Sequence, residues 1–187
     1  MSAHPERTDG ATTSIDPDRF RDVMASVCAP VTIVTTTDAQ NIPSGATVSS
    51  FTSLSLHPPL VSVGFDRRST LLAQIQNSGR FGVNLLEHAQ DELAVLFAQR
   101  GADRFAGTPW HRDHGLPRLD GAAGWVACEL YRTVEAGDHL LLFGLVTALG
   151  RAERPPLVYA HRLFGTHSRY TERPRLSIVD QIAACTR

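Results

Sequence analysis

GATVSSFTSLSLHPPLVSVGFD, residues 45–66, opens on small and hydroxyl side chains: Gly45, Ala46, Thr47, Ser49 and Ser50. From Phe51 to Leu56 it alternates apolar and polar, which puts Leu54 and Leu56 on one face and predicts a half-buried strand. His57-Pro58-Pro59 cannot continue a sheet ladder, so the chain turns there. Leu60 to Phe65 resumes as a second, more apolar strand. Arg67-Arg68-Ser69-Thr70-Leu71-Leu72 follows at once, two guanidiniums running into a helix-start signal. Hydroxyl-rich strand ends beside arginines and a helix N-terminus suit a bound phosphate. A plain turn explains the Pro-Pro step equally well, and Ser69 reads also as a simple N-cap.

Outward from this run, strands dominate. Residues 1–13 are polar and aperiodic and form an N-terminal tail. Asp16-Pro17 starts a helix over 17–27 with Phe20, Val23, Met24 and Val27 on one face. Val31 to Thr37, dense in β-branched residues, is a strand. Residues 70–76 form a short helix closed at Asn77-Ser78-Gly79, and 81–86 a strand that holds one polar residue, Asn84. Two readings of Asn84 stand: a polar group satisfied by a neighbouring strand, or a ligand contact. Residues 88–99 carry Leu93, Leu96 and Phe97 on one stripe, a second amphipathic helix. Residues 101–124 read as a long loop. Strands 125–134 and 140–149 make a hairpin around Gly137-Asp138, and 157–164 is the last strand. Beyond it, 167–187 reads as a tail with a possible helix over 176–184. One domain therefore spans 14–166.

Composition narrows the chemistry. The 187-residue chain carries a formal net charge of −1, which gives no electrostatic case for nucleic acid or membrane binding. Its eighteen basic residues are all arginine; the absence of lysine excludes a Schiff-base enzyme and a Walker-type phosphate loop. Cys28, Cys128 and Cys185 are far apart, which argues against a disulfide framework or a zinc site and suits a reducing cytoplasm. No apolar run is long enough to span a bilayer. His111 and His114 sit in an irregular polar loop, and no metal is expected there. No G-x-G-x-x-G follows a strand and no G-x-S-x-G elbow occurs, so neither the dinucleotide fold nor a serine hydrolase is indicated.

The run SFTSLSLHPPLVSVGFD, with RFGVNLL at 80–86, Phe105-Ala106-Gly107 and Gly137-Asp138-His139, resembles the flavin reductase family. The match covers roughly residues 16–165, with the motifs in the family's order. The resemblance implies a mainly β fold, a six-stranded antiparallel split barrel of Greek-key type with short peripheral helices. It implies hydride transfer from NADH or NADPH to FMN or FAD, with reduced flavin passing to a partner monooxygenase, and a homodimer. It assigns Ala46, Thr47, Ser49 and Ser50 to the flavin ring and ribityl chain, and Arg68, Ser69 and Thr70 to the phosphate. Phe65, Asp66 and Phe97 complete the pocket wall, and Asn84 is a candidate ring partner. His139 is placed beside the nicotinamide as the catalytic candidate, with Tyr159 and Arg162 on the same side. From composition alone His139 is a solvated turn residue. At 159–162 the chain reads Tyr-Ala-His-Arg, where many relatives carry an aromatic pair followed by Arg-Gly. Two other readings remain: a flavin carrier or sensor without turnover on the same barrel, and an oxidase of the pyridoxamine-phosphate type, whose phosphate site is harder to build without lysine.

Overall fold

A computed structural model describes residues 15–167. The elements, in order, are α1 (Pro17–Met24), β1 (Ala29–Pro30), β2 (Thr32–Thr37), β3 (Pro43–Val48), β4 (Thr52–Leu56), β5 (Pro59–Asp66), α2 (Thr70–Ser78), β6 (Arg80–Leu85), α3 (Asp91–Ala98), β7 (Trp110–Asp113), β8 (Leu116–Leu119), β9 (Gly124–Ala136), β10 (His139–Arg151), β11 (Leu157–Ala160) and β12 (Leu163–Thr166). The helix suggested over 176–184 lies outside the described residues.

One antiparallel sheet runs β3-β2-β6-β9-β10-β5-β4. Its edges, β3 and β4, are consecutive in the chain and joined by Ser49-Ser50-Phe51 alone. Six strand spacings laid flat cover roughly 29 Å, whereas the step from Val48 to Thr52 reaches about 13 Å. The sheet therefore curls until its two edges stand close without pairing. Seven strands do this, where six were expected. A smaller sheet, β1-β11-β12, flanks it, and β7 and β8 form a separate hairpin.

β2 shows how the core is divided. Val34 faces α2 with Leu71, Leu72, Ile75, Phe81 and Val63, while Ile33 faces α3 with Val31, Leu86, Ala94, Phe97 and Leu157. The period of two supplies both faces from one strand. Its buried threonines are satisfied: Thr32 donates to the Val48 carbonyl at 2.7 Å, Thr35 to Pro117 at 2.7 Å and Thr36 to Arg80 at 2.8 Å. Trp125 lies flat against β6, where a Cβ on Gly82 would stand 2.0 Å from the indole.

Four sequence expectations are corrected. The helix expected over 17–27 ends at Met24, and its apolar face is uncovered. β4 is exposed at all five residues because it is an edge strand, not half-buried. The 101–124 loop contains the β7–β8 hairpin, whose turn at His114-Gly115 has positive φ at both residues. The last strand is two strands, folded back where His161 and Arg162 adopt left-handed φ of 51° and 61°. This is the two-residue hairpin geometry usually signalled by Asn-Gly. Here it is held instead by Arg162 on Asp22 at 2.5 Å and by the His161 N–H on the Ala25 carbonyl at 2.5 Å.

Candidate active site

The corner from β5 into α2 concentrates the charged groups. Ser69 caps α2: its Oγ accepts the Leu72 N–H at 3.3 Å, with φ −67° and ψ 123°. The cap satisfies one orphan donor; the N–H groups of Thr70 and Leu71 are left without partners within the helix and point where an anion would dock. Arg68 stands beside them, and its Nε and Nη2 donate to both carboxylate oxygens of Asp66 at 3.2 and 3.1 Å. That guanidinium bond, then the Arg68 backbone N–H, holds the Asp66 carboxyl down at about 2. Arg67 turns the other way and acts as a staple. Its Nε donates to the Gly137 carbonyl at 3.1 Å, its backbone N–H to Asp138, and its Nη2 reaches Glu135 at 3.2 Å.

His139 is opposite Asp66 in the β10–β5 register, so the hairpin tip is pinned to the β5–α2 corner. Its Nδ1 lies 2.7 Å from Asp138 Oδ1, and this contact lowers the Asp138 carboxyl below its ordinary value. The imidazole remains half exposed. Asp66, Arg68, Ser69, Thr70 and His139 thus share one end of the sheet, though 73 positions (139 − 66) separate the outermost two in sequence.

Ser49 and Ser50 are exposed in the gap between the sheet's edges. Ser50 Oγ donates to the Gly64 carbonyl and accepts the Gly64 N–H, both at 3.0 Å, which ties the gap to β5. Ala46 packs against the core, and Thr47 spends its hydroxyl on the Ala94 carbonyl at 2.6 Å. Only their backbone is therefore available to a ligand.

Three assigned residues serve the scaffold. Phe97 is fully buried, meets Phe105 edge-on at 5.2 Å between ring centroids and supports β3 at Gly45 from behind. Phe65 is likewise buried. Asn84 is fully buried; its Nδ2 donates to the Ile33 carbonyl at 3.1 Å and its Oδ1 accepts the Leu119 N–H at 2.7 Å. Of its two readings, the structure realises the satisfied polar group.

Tyr159 and Arg162 do not join His139 within one chain. Tyr159 pairs with Ala29 and packs against Phe164 at 5.2 Å, and Arg162 bonds Asp22 on α1. Val31 and Leu86 link that sheet to the far end of β6, which through Gly124 borders Arg151, the opposite end of β10 from His139.

One participant went unnoticed in the sequence. Arg104 reaches across from the loop after α3 to the Gly45 carbonyl at 2.5 Å, closing a cavity of ≈ 200 Å³ with Thr70, Leu71 and Gln74. Its only signal was proximity to the Phe105-Ala106-Gly107 motif. His111 and His114 bind different carboxylates, Asp120 at 2.7 Å and Asp113 at 3.8 Å. Among the described residues no three potential metal ligands cluster.

Comparison with known proteins identifies the family. The family pattern described as "Flavin reductase like domain" matches residues 24–168. The reductase subunit HsaB of a flavin-dependent monooxygenase from Rhodococcus jostii (strain RHA1) is 40% identical over 162 residues, covering 84% of this chain and 83% of that protein. NADH:riboflavin 5'-phosphate oxidoreductase from Streptomyces pristinaespiralis is 37% identical over 163 residues, covering 84% and 92%. The crystal structure of nitrilotriacetate monooxygenase component B from Mycobacterium thermoresistibile superposes with a TM-score of 0.80 at 32% identity, covering 88% of this chain and 93% of that one. With the pattern spanning the curled sheet, the β5–α2 corner and the hairpin that carries His139, the chain belongs to the flavin reductase family.

Proposed function

We propose that the protein is an NAD(P)H-dependent flavin reductase that supplies reduced flavin to a partner monooxygenase. The observation that carries this reading is the β5–α2 corner, where Asp66, which holds the exposed Arg68 guanidinium, stands across the β5–β10 ladder from His139, and the first N–H groups of α2 follow four residues on. The described groups fit a flavin phosphate: the Thr70 and Leu71 N–H groups at the positive end of α2 supply directed donors, and Arg68, oriented by Asp66, keeps an N–H free for an anion. The backbone of Ala46 to Ser50, in the open gap between the edge strands, fits the ring and ribityl chain, and this gap is what we take to be the split of the family's barrel. When bound, the flavin accepts a hydride from the nicotinamide. The chain need supply no general base for that step; it must hold two rings face to face and exclude other geometries. His139, oriented by Asp138, would position the nicotinamide at the mouth.

Relatives named as monooxygenase reductase subunits support the onward transfer to an oxygenase. Uncovered apolar faces on α1, β4 and β12 support a homodimer. No helix among the described residues is long and apolar enough to cross a membrane. Cys28 and Cys128 are free thiols among the described residues, which supports a reducing compartment such as the cytoplasm.

Mixing the protein with NADH or NADPH and FMN or FAD, and following the nicotinamide absorbance band, tests turnover. Flavin binding without nicotinamide oxidation would leave a carrier. His139→Ala is expected to raise KM for the nicotinamide or lower kcat about tenfold, equivalent to about 1.4 kcal/mol, with flavin affinity nearly unchanged. Wild-type kinetics in that variant would return His139 to the role of a turn residue.

A further inference from the structure

The β5–β10 ladder ends at Asp66 and His139, and one position beyond it Arg67 comes level with Asp138. β9 and β10 are joined there by Gly137-Asp138 alone, with Gly137 at φ 63°. The turn stands in open space at Gly137, where an added Cβ would meet nothing within 4 Å. Both of its carbonyls go to Arg67. The Gly137 carbonyl accepts the Arg67 Nε–H and the Asp138 carbonyl accepts the Arg67 backbone N–H, each at 3.1 Å. Nη2 stands 3.2 Å from Glu135 on β9. One residue therefore holds the strand before the turn and the turn itself.

The backbone of His139 needs no such hold, since it pairs with Ala136 on one side and Asp66 on the other. Its imidazole does. The ring's Nδ1 contact, at 2.7 Å, is with Asp138 Oδ1, a carboxylate carried by the turn. Among the described residues no second hydrogen bond fixes this half-exposed ring. The ring's direction thus follows the place of Asp138, and Asp138 follows Arg67. The Arg67 and Glu135 side chains are 41 and 78% exposed, and an ion pair this open adds little to stability. What the contacts do supply is geometry. The two side-chain contacts use different nitrogens of one rigid planar fork, which a lysine ammonium cannot span.

We propose that Arg67 is a positioning residue for the nicotinamide step: it fixes the Gly137-Asp138 turn and, through Asp138, aims the His139 imidazole. The proposal rests on the flavin reductase reading above and on the place given there to His139. The two adjacent arginines divide the site between them. Arg68, bonded to Asp66, stands at the start of α2, whereas the Arg67 guanidinium is spent on the hairpin and acts through His139.

The test compares wild type with Arg67→Met, Arg67→Lys, His139→Ala and the double variant Arg67→Met, His139→Ala. Methionine keeps the apolar stem and removes the donors, and every variant keeps the backbone bond to Asp138. In cofactor-free protein, amide order parameters from NMR relaxation should fall at Gly137 and Asp138 from about 0.85 towards about 0.6 in Arg67→Met, and hold at Leu140. The melting temperature should stay within about 2 °C of wild type. At saturating FMN, kcat/KM for NADH should fall roughly three- to tenfold in both Arg67 variants, with the FMN Kd within about twofold. Adding Arg67→Met to His139→Ala should cost nothing further, because the group it aims is gone. A further loss in the double variant would make Arg67 a direct contact of the dinucleotide, and full activity in Arg67→Lys would reduce its part to charge. A turn that stays rigid in Arg67→Met would leave a surface ion pair. Each of these overturns the proposal. Impaired His139→Ala beside wild-type kinetics in Arg67→Met overturns this proposal alone. Wild-type kinetics in His139→Ala would overturn the reading of His139 and the proposal with it, and a wild type that oxidises no NADH would overturn the reductase reading itself.

Discussion

Asn84 and Cys128 are both buried polar groups, and their surroundings give them opposite chemistry. Asn84 has its carbonyl and amide occupied by Leu119 and Ile33, residues that meet only in the folded chain. Asn84→Ala would leave a buried N–H and a buried C=O without a partner. We expect a loss of about 2 kcal/mol or more, read as a lower denaturant midpoint, with flavin affinity of the folded fraction unchanged. A stable variant that loses flavin would make Asn84 a ligand contact after all. Its place was half legible in the sequence: a lone Asn in an apolar strand announces a buried polar partner, but the partner's identity depends on a hairpin 35 positions (119 − 84) further on. Phe97 shows the same limit, since an aromatic on a helix stripe reads alike in sequence whether it faces a ligand or Phe105. At Cys128, burial alone pushes the thiol up to about 12. Near pH 9 iodoacetamide should therefore label exposed Cys28 and spare Cys128 until the protein unfolds, with peptide mass mapping as the readout. The raised value also fixes the sign of the linkage. The neutral thiol favours the fold below about pH 9, and that contribution fades as pH climbs towards 12.

Between residue and fold, the start of α2 carries two duties that substitution can separate. Ser69 is a cap by geometry, and its position beside Arg68 also places it at the proposed phosphate seat. Ser69→Ala should cost about 1 kcal/mol of stability through the lost cap. Ser69→Asp keeps a capping oxygen and suits the helix dipole, so stability should hold. Its charge would nevertheless repel a phosphate, and the FMN Kd should rise tenfold or more while riboflavin, which lacks the phosphate, changes little. Equal weakening of FMN and riboflavin would remove the phosphate from this corner. The corner was readable because a cap, a helix start and two arginines are local signals. β11 and β12 were not, because their left-handed turn is imposed by α1 through Asp22 and Ala25 rather than by a glycine. The exposed β4 has a related cause: alternation shows which side chains share a face, not whether anything lies against it.

At the scale of the whole molecule, curling the seven-stranded sheet hides its inner face but leaves several outer faces bare. Phe20, Val23 and Met24 on α1 are exposed by 54, 56 and 45%, and Leu163 on β12 by 71%. Arg162 and the His161 N–H tie α1 to β12, so these side chains belong to one connected surface unit. An amphipathic helix that buries none of its residues is stabilised in water only weakly, and its apolar face marks an interaction surface. Tyr159 lies at the base of this same unit, remote from His139 in one chain. A second copy packed on the α1–β12 edge would cover the apolar side chains and give Tyr159 and Arg162 a route to a site completed across the interface. Light scattering should accordingly report a dimer at micromolar concentration. The double variant Val23→Asp, Leu163→Asp puts charge at two exposed positions that no core contact depends on. It should dissociate the dimer while near-ultraviolet circular dichroism still reports a folded chain, and KM for the nicotinamide should rise if that edge completes its site. A wild-type monomer would defeat the dimer outright. A dimer that survives both substitutions would move the interface to Leu54 and Leu56 on β4, the other apolar edge that the curled sheet leaves open.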